Sequence, residues 1–133
     1  MARILIVEDD ADIAQLLARR LRSYGHVVST APSARLAMNV VGLDFPANVV
    51  VLDVNLPGMN GFDLLTELRR HPELDDPTLP AVFLSSSVDE ENIARAHSLG
   101  CVYLTKPFVS GELQGAILAA VKERIDTAPL PPQ

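Results

Sequence analysis

Four places in this 133-residue chain carry side chains that could do chemistry together. Glu8-Asp9 follows the apolar run Ile4-Leu5-Ile6-Val7, and Asp53 follows Val49-Val50-Val51-Leu52 and leads into Val54-Asn55-Leu56-Pro57-Gly58. Ser85-Ser86-Ser87 follows Ala81-Val82-Phe83-Leu84, and Thr105-Lys106-Pro107 follows Cys101-Val102-Tyr103-Leu104. Glu8, Asp9 and Asp53 brought to one place would repel one another, and at least one would keep its proton unless a cation stood between them. With no His or Cys beside them, the donors are all oxygen, which suits a hard cation, Mg²⁺ above all. Such an ion keeps positions open for water and a phosphoryl oxygen. Lys106 adds an ammonium and Ser85 a hydroxyl donor, and the set is that of a phosphoryl-transfer site.

The elements that position these residues follow from their surroundings. Each apolar run is continuous and rich in β-branched or aromatic residues, the pattern of a strand buried on both faces of a parallel sheet. His26-Val27-Val28-Ser29-Thr30 is shorter and more polar and reads as a fifth strand, at an edge, with nothing ionisable after it. Helical patterns lie between. Ile13, Leu16, Leu17, Leu21 and Tyr24 form the expected inner face of the first, with Gly25 as its stop. Ser33 caps a second helix running to about Val41. Asn60 or Gly61 begins a third with Phe62, Leu65 and Leu68 inward. Asp89 caps a fourth with Ile93, Ala96 and Leu99 inward and Gly100 as the stop. Ser110 caps a fifth with Leu113, Ile117, Ala120 and Val121 inward. The order is β-α five times, and right-handed crossovers make it an α/β fold: a doubly wound, flavodoxin-like (βα)5 domain with a five-stranded parallel sheet of order 2-1-3-4-5. Ligands bind such sheets outside the carboxyl ends of the strands, where the strand order reverses. Strands one and three flank that point, and they bring the carboxylates.

With these motifs in order, each at a strand end, the sequence resembles a response-regulator receiver domain of the CheY-like kind, the phosphoacceptor module of two-component signalling. The resemblance runs from Arg3 to about Arg124. It implies that Asp53 receives a phosphoryl group from a sensor histidine kinase or a histidine phosphotransfer protein. It also implies that Asp9 ligates Mg²⁺ directly with Glu8 as its partner, and that the backbone carbonyl of Asn55 completes the protein ligands beside Asp53. Ser85 matches the hydroxyl switch residue and Tyr103 the aromatic that turns inward with it. Lys106 matches the lysine that pairs with the phosphoryl group, ahead of a cis Lys106-Pro107 peptide. Output then passes through the face of helix four, strand five and helix five to an unknown partner protein, and the domain is a phosphoacceptor rather than an enzyme. Glu8 in place of the commoner Asp, Ser85 in place of Thr and Gly111 in place of Pro depart from the family pattern without removing a functional group.

Composition sets the outer limits. One domain fits the length, placed at residues 1–125 with a Pro-rich tail or linker stub at 126–133. Seventeen acidic against eleven basic residues give a net charge of -6, and no Lys/Arg stripe suggests direct nucleic-acid binding. No apolar run reaches the roughly 18 residues of a membrane helix. The single Cys101 sits in an apolar run and reads as a small buried hydrophobe, and a cytoplasmic location is expected. Asp10 and Asp12 read as a helix N-cap and a first-turn acid rather than further ligands, and Asp89-Glu90-Glu91 likewise. His26, His71 and His97 read as ordinary surface or edge histidines. Two rivals differ in class. A phosphatase of the haloacid dehalogenase type would need an acid where Asn55 stands, and a docking module without phosphorylation would not need the acidic set.

Overall fold

The four apolar runs form the middle of one parallel sheet, because a strand with no polar face can be covered only by helices on both sides. The computed structural model describes residues 2–127 apart from 43, 75 and 109. The sheet strands are β1 (Arg3–Val7), β2 (Val27–Ala31), β3 (Val49–Asp53), β4 (Ala81–Ser85) and β5 (Val102–Thr105). They lie in the order β2-β1-β3-β4-β5, as the sequence indicates. The helices are α1 (Ala11–Ser23), α2 (Ala34–Val40), α3 (Gly61–Arg69), α4 (Glu90–Ser98) and α5 (Ser110–Thr127). Register pairs Val7 with both Ala31 and Leu52, Asp53 with Leu84, and Ser85 with Thr105. The strand ends are thereby level, and the residues that follow them share one rim. Every residue of β4 is buried, and β2 sits at the edge, as expected.

Two apolar clusters fill the space on either side. One joins β-strand side chains to Phe62, Leu64, Leu65 and Leu68 of α3; the other joins the opposite sheet face to α1 and to Leu113, Ile117 and Ala120 of α5. Asp10, Ser33, Asn60 and Asp89 each cap the helix that follows them by accepting backbone N–H bonds. Gly25 and Gly100 follow α1 and α4 with φ of 91° and 71°, as helix stops.

The inner face of α1 needs correction. Ala14, Leu17, Ala18 and Leu21 are buried, whereas Ile13, Leu16 and Tyr24 are 37%, 44% and 46% exposed. A helix buries only a stripe of about 100°, and the two alanines, spaced with Leu17 and Leu21 at helical intervals, let α1 approach the sheet closely. Counting only large apolar residues turned the predicted face toward its flank. In α4, Ala96 is buried but Ile93 and Leu99 are only half-buried. Val121 of α5 is half-buried as well. The side chain of Ser110 and the tail 128–133 lie outside the described residues; α5 continues to Thr127, past the expected boundary at 125. A two-stranded hairpin, Asn55–Leu56 with Met59–Asn60, stands above β3 and was not legible as strand. Among the described residues no helix is long and apolar enough to cross a membrane.

Candidate functional site

The rim gathers Glu8, Asp53 and Lys106 around one ammonium. Lys106 Nζ donates to Asp53 Oδ2 at 3.0 Å and lies 4.0 Å from Glu8 Oε2. The lysine is aimed by its backbone: its N–H donates to the Ser85 carbonyl at 2.7 Å, and the Lys106-Pro107 peptide is cis, as the resemblance implies. Asp53 is held from the other side, where the Asn55 N–H donates to its Oδ1 at 2.8 Å. The turn below it is tight. Gly61 N–H donates to the Val54 carbonyl at 2.8 Å, and a Cβ added at Gly61 would run into the Asp53 carbonyl oxygen. The first turn of α3 is therefore packed directly on the backbone of Asp53.

Glu8 is 4% exposed. Its Oε1 accepts the Asp10 N–H at 3.2 Å, while Oε2 is buried without a hydrogen-bond partner. Burial pushes its carboxyl above the ordinary value; the Asp10 amide and Lys106 pull it back, and Asp53 and Asp9 push it up again. Asp9 stands exposed beside it. Asp10 Oδ1 accepts the N–H groups of Asp12 and Ile13, so it caps α1 as read from the sequence. Among the described residues no group of three His, Cys, Asp or Glu side chains could hold a metal ion as placed. The donor set still fits a magnesium ion, which needs only one or two carboxylates and otherwise keeps its waters. The orphaned Glu8 oxygen is the atom that lacks a positive partner at hydrogen-bonding distance.

Ser85, Ser87 and Tyr103 form a second network. Ser85 is 1% exposed, and its Oγ accepts the Ser87 N–H at 3.2 Å and lies 3.4 Å from Ser87 Oγ. Tyr103 is half-buried against the core and its hydroxyl donates to the Ser87 carbonyl at 3.0 Å. Ser85 and Tyr103 thus meet through Ser87 rather than directly. In the sequence Ser87 is the third of three serines after the fourth apolar run; its joining role depends on a contact sixteen residues away and has no local signature.

Two histidines correct the sequence reading. His26 is 7% exposed; its Nδ1 accepts the Ala2 N–H at 3.1 Å, and Nε2 meets Gln114 Oε1 of α5 at 2.7 Å. His71 bridges the Met38 carbonyl and the Glu73 N–H. Both stitch the fold together, and only His97 is an exposed residue of the kind expected. Cys101 is buried as expected.

The family described as the response regulator receiver domain matches residues 4–118. Transcriptional regulatory protein PrrA of Mycobacterium bovis is 36% identical over 128 residues, covering 95% of this chain and 52% of PrrA. The chain thus spans about half the length of that relative. Among solved structures, chemotaxis protein CheY4 of Vibrio cholerae superposes with a TM-score of 0.79 at 26% identity, over 90% of this chain and 98% of CheY4. The non-phosphorylated HemR receiver domain of Leptospira biflexa superposes with a TM-score of 0.79 at 28% identity, over the full length of both.

Proposed function

Because the chain belongs to the response regulator receiver domain family, we propose that Asp53 is its phosphoacceptor, taking a phosphoryl group from the phosphohistidine of a sensor histidine kinase or histidine phosphotransfer protein. The observation that carries this reading is the 3.0 Å contact of Lys106 with Asp53 beside a buried, unsatisfied Glu8 oxygen. One Asp53 oxygen attacks phosphorus as the bond to the histidine nitrogen breaks, leaving an acyl phosphate. The Asn55 N–H and the Lys106 ammonium orient the carboxylate for that attack, and Lys106 then faces the added negative charge. Glu8, Asp9, Asp53 and the Asn55 carbonyl would hold Mg²⁺, which supplies charge neutralisation for phosphoryl transfer. Ser85 moves from Ser87 to the phosphoryl oxygen, Tyr103 follows, and the face of α4, β5 and α5 changes its preference for an output partner. That is a shift between two states biased by new charge.

The protein acts in this reading as an acceptor that turns over only by losing its own phosphoryl group, not as an enzyme acting on a separate substrate. The test is labelling by a cognate kinase or a small phosphodonor in Mg²⁺. One phosphoryl group per chain is expected for the native protein and none for Asp53→Asn. Undiminished labelling of that variant, or sustained hydrolysis of a phosphomonoester, would overturn the reading.

A further inference from the structure

α4 is held to the rest of the fold by little apolar packing. Ala96 is its one buried residue out of nine. Two arginines tie it to α3, and they differ in kind. Arg69, at the end of α3, donates to the Leu79 carbonyl and, at 3.1 Å, to the Leu99 carbonyl that closes α4. The bond to Leu99 is to backbone at the foot of the helix, next to Gly100, and it makes that end a pivot. Arg95, on α4 itself, lies 4.6 Å over the ring of Phe62 and 3.6 Å from Asp63, with its side chain half exposed. Contacts of that kind are each weak and easily released.

Phe62 connects this contact to the site. It follows Gly61, which is packed on the Asp53 backbone, and its ring lies 4.4 Å from that of Phe83, two residues before Ser85. On the other side, Ser85 is bonded to Ser87, and Asp89, two residues later, caps α4. Ser85 Oγ accepts the Ser87 N–H, and turning it toward a phosphoryl group on Asp53 would draw on the 85–89 loop, which is tied to α4 through the Asp89 cap. We propose that Arg95 is a latch: by holding α4 on Phe62 and Asp63 it stabilises the unphosphorylated arrangement, and its release is part of what phosphorylation must accomplish. This rests on the phosphoacceptor reading above.

The test uses the full chain, with beryllofluoride plus Mg²⁺ as the phosphoryl mimic and hydrogen exchange of residues 90–98 as the measure of α4. Arg95→Met keeps the aliphatic stem and removes the charge. Without ligand it is expected to raise α4 exchange about threefold to tenfold and to tighten beryllofluoride binding by a similar factor, the combined size of an exposed cation–π contact and an exposed ion pair. Asp63→Asn, which removes the ion pair alone, should give a smaller change in the same direction. A merely structural arginine would loosen α4 without tightening the mimic. Unchanged exchange, or equal or weaker binding by Arg95→Met, would overturn the latch while leaving the phosphoacceptor reading intact. If the native chain itself binds no beryllofluoride, the phosphoacceptor reading fails first, and the latch loses its function with it.

Discussion

Glu8 is the residue whose burial is hardest to justify without a cation. One oxygen accepts a backbone bond, the other has no hydrogen-bond partner, and Lys106 at 4.0 Å is too far to donate to it. Its folded-state carboxyl is raised above the ordinary value of 4.5, by burial first. The sign follows by linkage: the native state binds the Glu8 proton more readily than the unfolded chain, so the penalty is fully present above the raised value. It fades as pH falls and is gone below 4.5. Glu8→Gln is therefore expected to melt higher than the native protein at pH 7, with the gap narrowing toward pH 4.5. Mg²⁺ at pH 7 should raise the native melting temperature more than that of Glu8→Gln, since a ligand bound only by the native state stabilises it by mass action. Thermal melts across that range decide it; a gap that stays constant with pH would sink the argument. This residue was legible in the sequence because a carboxylate after a doubly buried strand has few places to go. His26 was only partly so: it read as a surface or edge histidine within the edge run His26–Thr30, whereas β2 begins at Val27 and His26 is buried, bonded to Gln114, eighty-eight residues away.

At the scale of elements, the turn from β3 into α3 depends on a missing Cβ. A side chain at Gly61 would meet the Asp53 carbonyl and the Val54 backbone, neither of which can swing aside as a long side chain could. Gly61→Ala is expected to lose about 1–3 kcal/mol of stability, the usual scale of overpacking, and to slow labelling because it shifts the Asp53 backbone itself. Gly115→Ala gives the matching control. In α5, a Cβ there meets nothing within 4 Å, so the better helix former should stabilise by about 0.5–1 kcal/mol with labelling unchanged. Urea unfolding and a labelling time course on both variants would settle the pair; equal effects would remove the close approach as their cause. Helix starts were readable from single residues, since Asp10, Ser33, Asn60 and Asp89 cap locally. The true face of α1 was harder to read because Ala14 and Ala18 bury as well as Leu does but signal less. The attachment of α4 was not readable at all, since Arg69 and Arg95 act across the gap between helices on partners the local pattern does not name.

The molecule as a whole carries its candidate site on four strand ends, β1, β3, β4 and β5, so no one element can form it. The doubly wound sheet was legible because its buried runs lack any polar face, whereas the way two core layers share its stability was not. α5 covers one of those layers with Leu113, Ile117 and Ala120, and its neighbour Leu118 is 56% exposed. Ile117→Ala should therefore cost about 2–5 kcal/mol by leaving a cavity, while Leu118→Ala, one residue on, should stay within about 0.5 kcal/mol. The two faces of one helix thus report whether α5 belongs to the same cooperative unit as the rim. If it does, labelling of Asp53 and helical circular dichroism are lost at the same urea concentration in the native protein, and Ile117→Ala moves both midpoints down together. Labelling that disappears well before the circular dichroism, or an Ile117→Ala variant that keeps its labelling midpoint while its helix content melts early, would mean the site is held by the strand ends without α5. α5 would then be an appended layer whose packing can change without disturbing phosphoacceptance.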